Sequence, residues 1–211
     1  MVIGRILAPV HSLGPGERIC IWTKGCRKRC PGCIAPELWE RGAQDRDIPA
    51  EKLAQVVRQL AKKGNCHALT ISGGDPFEQA EGLLAFLKLV REDFEDILVY
   101  TGYTRGEIEG GECKIREYAA GEGRDDERKS GAAGQAGTEC LEWIDVLIDG
   151  RYEEDKNTPD CVLRGSANQV IHFLNENLRG TYEEYMKAGR VLENFLHGED
   201  TIVTGIMNRG L

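Results

Sequence analysis

Four short apolar runs, each closing on a glycine- or cysteine-bearing turn, restrict most of what this chain can become. Ile19-Cys20-Ile21-Trp22-Thr23 runs into a cysteine loop, and Ala68-Leu69-Thr70-Ile71-Ser72 into Gly73-Gly74-Asp75-Pro76. Ile97-Leu98-Val99-Tyr100-Thr101 enters Gly102-Tyr103, and Ile144-Asp145-Val146-Leu147-Ile148-Asp149 reaches Gly150. Helix-period segments separate these runs, so the pattern predicts an α/β fold with parallel strands. Gln169-Val170-Ile171-His172-Phe173 is a fifth candidate strand. Asp47-Ile48-Pro49 reads as a helix start. Leu53, Val56, Val57, Leu60 and Ala61 then recur at helical spacing, and Gly64 sits where a C-cap is expected. Leu83, Leu84, Leu87 and Val90 mark the next helix. In β/α barrels the loops after the strand C-termini carry the site. The cysteine loop, the Gly-Gly-Asp turn and Asp149 are therefore predicted to meet at one mouth.

The cysteine loop itself is Cys26-Arg27-Lys28-Arg29-Cys30-Pro31-Gly32-Cys33. Its C-x3-C-x2-C spacing offers three thiolates and withholds a fourth, which leaves one metal position open to another ligand. A zinc site would need a fourth ligand, which His11, Cys20 or Cys66 could supply. The Gly73-Gly74-Asp75-Pro76 turn shifts the weight away from zinc. Two glycines let backbone approach a ligand closely, and their carbonyls can accept from an ammonium group. A zinc module has no use for such a turn.

Bulk properties fit this reading. At 211 residues the chain suits one domain, 1–211. No apolar run approaches the roughly 18–20 residues that span a bilayer, and Met1 to Pro9 carries no export signal. Eight cysteines then fit a reducing, cytoplasmic interior and metal ligation. A net charge of −8 disfavours nucleic acid as a partner. Lys24, Arg27, Lys28 and Arg29 surround the cysteines, either as solvated loop residues or as an attraction for an acidic electron donor or partner.

Two segments break the pattern. Glycine, alanine and charge dominate residues 119–138, which read as a flexible insertion. Residues 175–211 form a C-terminal extension. It is predicted to hold an amphipathic helix with Tyr182, Tyr185, Met186, Val191, Leu192, Phe195 and Leu196 largely on one face, before a final apolar segment, Thr201 to Ile206. The tail either packs on the core or serves as a lid or docking surface.

Taken together, these motifs resemble the radical S-adenosylmethionine (SAM) superfamily. Within it they resemble the branch of activating proteins that install a glycyl radical on anaerobic ribonucleoside-triphosphate reductase. The stretches that carry the resemblance include Gly14 to Arg18, Gly25-Cys26, Cys30 to Cys33, Pro36 to Trp39, Ser72 to Pro76, Tyr100 to Tyr103, Val146 to Gly150 and Arg164 to His172. Aspartate at position 75, where most of the superfamily carries glutamate, is typical of this branch. The resemblance implies an incomplete (β/α)6-type barrel. It implies that Cys26, Cys30 and Cys33 hold a 4Fe–4S cluster whose fourth iron is chelated by SAM. Gly73 and Gly74, with Asp75, would bind the SAM amino group, and Gly32, Cys33 and Ile34 would lie against it. Reductive cleavage of SAM gives a 5′-deoxyadenosyl radical, which takes hydrogen from a glycine of the partner enzyme. Reduced flavodoxin or ferredoxin is the implied electron donor, and neither nucleic acid nor membrane is an expected partner. No side chain is assigned a catalytic role beyond the cofactors.

Other residues keep two readings. Asp149 faces SAM or caps the next turn. The stretch Arg164 to Gln169, with Ala167 where the family usually has serine, shapes the SAM pocket or satisfies its own backbone. His172 reads as a core histidine, and Trp22 and Trp39 as shields of the cluster loop. Cys20, Cys66, Cys113, Cys140 and Cys161 show no ligand spacing, although the last three could in principle hold a second cluster. Two rival functions stand beside the activase: a radical SAM enzyme acting on a peptide or small molecule, and an interaction module built on zinc or a passive cluster.

Overall fold

The computed structural model describes residues 1–113, 116–117, 124–125, 130–197 and 200–207. One six-stranded sheet organises them, built from β1 (Ile3–Val10), β2 (Arg18–Thr23), β3 (Ala68–Gly73), β4 (Asp96–Tyr100), β7 (Val146–Asp149) and β8 (Val170–Phe173) in that spatial order. Strands β2, β3, β4 and β7 run parallel, while β1 and β8 pair antiparallel at the two edges. The parallel α/β core is therefore as predicted, with four parallel strands and two antiparallel edges where a (β/α)6-type barrel was expected. Strand β1 went unread because Gly4, Arg5 and Pro9 interrupt its apolar pattern, and proline is tolerated at an edge.

The strands alternate cleanly between two cores. Ile19, Ile21, Leu69, Ile71, Ile97, Val99 and Leu147 face α1 (Ala50–Gly64) and α2 (Ala80–Val90) in the larger cluster. Their neighbours Cys20, Trp22, Leu98, Val146 and Ile148 face the other way, into two smaller clusters. Burial on both faces explains why these strands read as continuous apolar runs. Helix α1 starts after Pro49, as expected, but its C-cap is Asn65 in the left-handed region (φ 51°), with Gly64 the last helical residue. Asparagine tolerates that conformation better than other residues with a Cβ.

Two predicted segments differ. A short helix, α3 (Arg105–Glu109), and a two-residue strand pair, β5 (Arg116–Glu117) with β6 (Arg124–Asp125), precede a further helix, α4 (Ser130–Cys140). Helix α4 occupies the second part of the expected flexible insertion; residues 119–123 and 126–129 lie outside the described residues. The small residues that looked like low complexity instead allow close packing. A Cβ on Gly134 would stand 2.5 Å from the Gly111 carbonyl oxygen, and one on Gly137 would stand 2.8 Å from Cys113 Sγ. In the tail, α5 covers only Arg179–Lys187 and is followed by Gly189 at φ 82°. The residues expected to continue it form an antiparallel hairpin, β9 (Leu192–His197) with β10 (Asp200–Gly205). Leu192, Asn194 and Leu196 alternate with Glu193 and Phe195, a period of two that suits a strand.

The floor beneath the strands is ionic. Arg18, fully buried, donates to Asp96 (2.5 Å), Thr70 Oγ1 (2.6 Å) and the carbonyls of Leu69 and Pro15. Tyr182 of α5 donates its hydroxyl to the Asp96 carboxylate (2.9 Å). Burial works against the guanidinium's charge, but Tyr182 and Asp96 more than offset it. Removing one partner of a buried pair leaves an uncompensated charge, at about 3–5 kcal/mol. Arg18→Ala is expected to lower stability by about that amount in urea denaturation. Arg18→Met combined with Asp96→Leu should recover much of the loss.

Candidate functional site

The four parallel strands end around one cavity of about 420 Å³. Its lining includes Cys26, Cys30, Gly32, Cys33, Ile34, Gly73, Gly74 and Asp75, every residue assigned to the cluster or to SAM, but not Asp149, which was expected at the same mouth. Trp22 and Trp39 also border it, as expected for shielding residues, together with Tyr100, Thr101, Gly102 and Gly150 from the ends of β4 and β7.

Backbone contacts hold the two motifs together. Gly74 N donates to Thr23 O (2.8 Å) and Asp75 N to Gly25 O (2.9 Å), so the Gly-Gly-Asp turn is bonded to the start of the cysteine loop. From the other side, Gly25 N donates to Leu38 O and Cys26 N to Trp39 O. The glycines are required by this approach. Gly73 has φ 115°, and a Cβ there would lie 2.2 Å from Thr23 N; one on Gly74 would lie 2.5 Å from Gly25 O.

Asp75 borders the cavity and also has a structural part within the chain. It is 1% exposed, and its carboxylate accepts from Phe77 N (3.0 Å), Thr101 Oγ1 (2.8 Å) and Gly102 N (2.9 Å). Those bonds tie the end of β3 to the end of β4. Burial and the neighbouring Glu78 push its pKa up to about 6, against the pull of these hydrogen bonds and of Lys28. Its neighbour Glu78, also buried, accepts from Arg27 Nε (2.8 Å) and from the Tyr103 hydroxyl (3.3 Å), which brings Arg27 of the cysteine loop to the same turn.

The basic residues around the cysteines turn toward acidic or aromatic partners of the same chain. Lys24 binds Asp45 at 3.0 Å, Arg27 binds Glu78, Arg29 pairs with Glu40, and Lys28 Nζ stands 3.3 Å from the centre of the Tyr103 ring. Of the two readings of these residues, the attraction for an acidic donor or partner is thus largely compensated from within. Asp149 caps rather than faces the cavity: its Oδ2 accepts from Arg105 N at the start of α3. His172 Nε2 stands 3.0 Å from that oxygen, at ion-pair distance but without hydrogen-bond alignment. The loop from Arg164 to Gln169 satisfies its own backbone, with Gln169 Oε1 accepting from Gly165 N and Ser166 N, and it also borders the cavity through Gly165 and Gln169.

The donor set fits a cluster. None of the eight cysteines is in a disulfide. Among the described residues no three His, Cys, Asp or Glu side chains converge closely enough for a single metal ion. An iron–sulfur cluster takes its thiolates at separate irons, and Cys26, Cys30 and Cys33 all border the one cavity. His11, Cys20 and Cys66 do not border the cavity with the loop cysteines. Burial and Asp75 push the Cys26 thiol up to about 12, and burial raises Cys30. Ligation there must therefore release protons.

Sequence reading missed other walls: Arg5 on β1, which stacks over Trp22 (5.7 Å) and pairs with Glu37, and Tyr152, Asn157 and Thr201 to Met207. The last of these had a signal, since His197-Gly198-Glu199-Asp200 separates two alternating runs in the manner of a hairpin.

Residues 12–172 match a family model described as a 4Fe-4S single cluster domain. The anaerobic ribonucleoside-triphosphate reductase-activating protein of Pasteurella multocida (strain Pm70) is 32% identical over 166 residues, covering 75% of this chain and 89% of that protein. Its counterpart in Haemophilus influenzae (strain ATCC 51907 / DSM 11121 / KW20 / Rd) is 30% identical with the same coverage. The chain belongs to this 4Fe-4S family. The crystal structure of QueE from Escherichia coli matches with a TM-score of 0.42 at 14% identity, over 89% of this chain and 90% of that one, too slight a likeness to bear on function.

For this 4Fe-4S protein, Asp75→Ala would leave buried donors of Phe77 and Gly102 unpaired and lower the stability of the cluster-free form by about 2–3 kcal/mol. A raised folded-state pKa means that the folded form binds more protons than the unfolded one between about pH 4 and 6. The stability advantage of wild type over Asp75→Ala should therefore grow as pH falls from 7 to 5, as read by urea denaturation at each pH. Gly74→Ala, which drives a methyl into Gly25, is expected to cost about 1–3 kcal/mol and to reduce iron retention after anaerobic reconstitution.

Proposed function

We propose that the chain is a radical SAM activase, with Cys26, Cys30 and Cys33 binding three irons of a 4Fe–4S cluster and SAM completing the fourth. Its partner on this reading is an anaerobic ribonucleoside-triphosphate reductase, on which it generates a glycyl radical. The observation that carries the reading is the meeting of the three cysteines and the Gly73-Gly74 turn at one cavity, in a chain of the 4Fe-4S family. The cofactors supply one-electron cleavage of the sulfonium; the protein supplies binding, orientation and exclusion of water. With Gly74 N and Asp75 N already bonded to the cysteine loop, the turn would offer the SAM ammonium its carbonyl oxygens. Asp75 would position those carbonyls from behind by joining β3 to β4. Gly32, Cys33 and Ile34 would form the facing wall.

The same reading takes the sheet as an incomplete barrel, because the ends of β2, β3, β4 and β7 all border one cavity. It takes residues 1–211 as one domain, a flavodoxin- or ferredoxin-type protein as electron donor, and the cytoplasm as its place of work. Among the described residues no helix is long and apolar enough to cross a membrane.

Anaerobic reconstitution followed by dithionite reduction is expected to give a brown protein that cleaves SAM to 5′-deoxyadenosine and methionine. With the reductase added, a glycyl-radical doublet should appear by electron paramagnetic resonance. Cys30→Ala should lose cluster absorbance and at least 99% of SAM cleavage. Undiminished cleavage by that variant would remove Cys30 from the ligand set, and a colourless zinc protein would end the activase reading.

A further inference from the structure

Four charged side chains border the cavity among the described residues: Arg5, Lys28, Glu37 and Asp75. Arg5 pairs with Glu37. Asp75 is spent on Phe77, Thr101 and Gly102. Lys28 has neither arrangement. Its basic neighbours Lys24, Arg27 and Arg29 each meet a carboxylate, whereas no carboxylate of the described residues pairs with Lys28.

The Lys28 side chain is laid along the end of β4 instead. A Cβ on Gly102 would stand 2.9 Å from Lys28 Cγ, and Nζ is 3.3 Å from the centre of the Tyr103 ring. That seat holds a cation without cancelling it, because the ring offers a quadrupole and no net charge. Burial and Glu78 raise the pKa of the Tyr103 hydroxyl, which keeps it neutral. Asp75 and Glu107 feel the lysine's charge, yet Glu107 too is occupied, accepting from Thr104 N and Oγ1 at the start of α3. Through its backbone the same residue reaches the cysteines: Cys26 Sγ accepts from the N–H groups of Lys28 and Arg29. Lys28 is half-buried, so solvent screens it less than an exposed lysine.

A 4Fe–4S cluster held by three thiolates gains one negative charge when it takes one electron, and net charge is among the factors that set its potential. We infer that Lys28 is the fixed counter-charge of the cluster, seated on Tyr103 so as to favour the reduced state and ease one-electron transfer from a low-potential donor. The inference needs the cluster of this 4Fe-4S family but neither SAM nor the reductase. It therefore goes beyond the activase reading and can fail independently of it.

The test is a redox titration of anaerobically reconstituted protein without SAM, following the reduced cluster by electron paramagnetic resonance. It is run at about pH 8, above the range in which Asp75 titrates. Lys28→Met keeps the stem over Gly102 and removes the charge. At a potential fixed at the wild-type midpoint, it should lower the reduced-to-oxidised ratio by roughly threefold or more. That corresponds to about 28 mV of midpoint, at about 59 mV per tenfold for one electron. Lys28→Glu should lower the ratio by roughly tenfold or more, and Lys28→Arg should stay within about 1.5-fold of wild type. A wild-type midpoint in Lys28→Met overturns the inference. If that variant also retains less SAM in equilibrium dialysis at an unchanged midpoint, the lysine belongs to the SAM carboxylate instead. Incomplete iron uptake by Lys28→Met assigns Lys28 to cluster assembly and likewise overturns it. A shifted midpoint in a protein whose unsubstituted form fails to cleave SAM would remove the activase reading and leave this assignment standing.

Discussion

Two loops that lie nearly fifty residues apart touch backbone to backbone, with no side chain between them, and the rest of the site is arranged around that contact. Thr23 to Gly25 leaves β2 as Gly73 to Asp75 leaves β3, and because the strands are parallel neighbours both loops emerge side by side. A Cβ at either glycine would force them apart. The contact also uses the amide N–H groups of Gly74 and Asp75, while the Asp75 carbonyl accepts from Glu78 N. A motif that looks like a ligand-binding loop is thus first a docking joint for the cysteine loop.

Above and below that joint the interior is divided by polarity. At the N-terminal end of the strands, Arg18, Thr70, Asp96 and Tyr182 form a saturated ionic floor. At the C-terminal end, Trp22, Ser72 and Tyr100 from the same side of the sheet open onto the cavity. The floor needs α5 to supply Tyr182, so the segment after β8 takes part in closing the core. A buried ion pair is weak evidence for net stability. Its effect here is to seal one end with directional bonds that apolar packing would not supply, leaving the other end free for a ligand.

How much of this was legible depended on whether a residue's partner was local. The cysteine spacing, the Gly-Gly turn and the four parallel strands were readable because each is a short pattern with one physical use. Asp75 was readable as a site residue, but its bonds to Thr101 and Gly102 were not, since those residues follow the next strand. The partners of the basic residues were not legible, because nothing in the loop reveals that Glu78, Asp45 and Glu40 approach from elsewhere. Helix α4 was hidden by its own glycines, which sequence statistics treat as helix-breaking but which tight packing on residues 111–113 rewards. The hairpin was hidden by an apolar spacing that also fits a helix until Gly189 stops it.

That last ambiguity bears on how the cavity is walled. A helix laid across the cavity would cover it with side chains all round, whereas a two-stranded ribbon separates its faces by one peptide plane. Strand β10 has the buried Thr204 and the exposed Val203 adjacent in sequence, and both border the cavity. The bonds that Ser12 makes to Glu193 and Thr204 fix the base of the ribbon, where β9 begins and β10 ends.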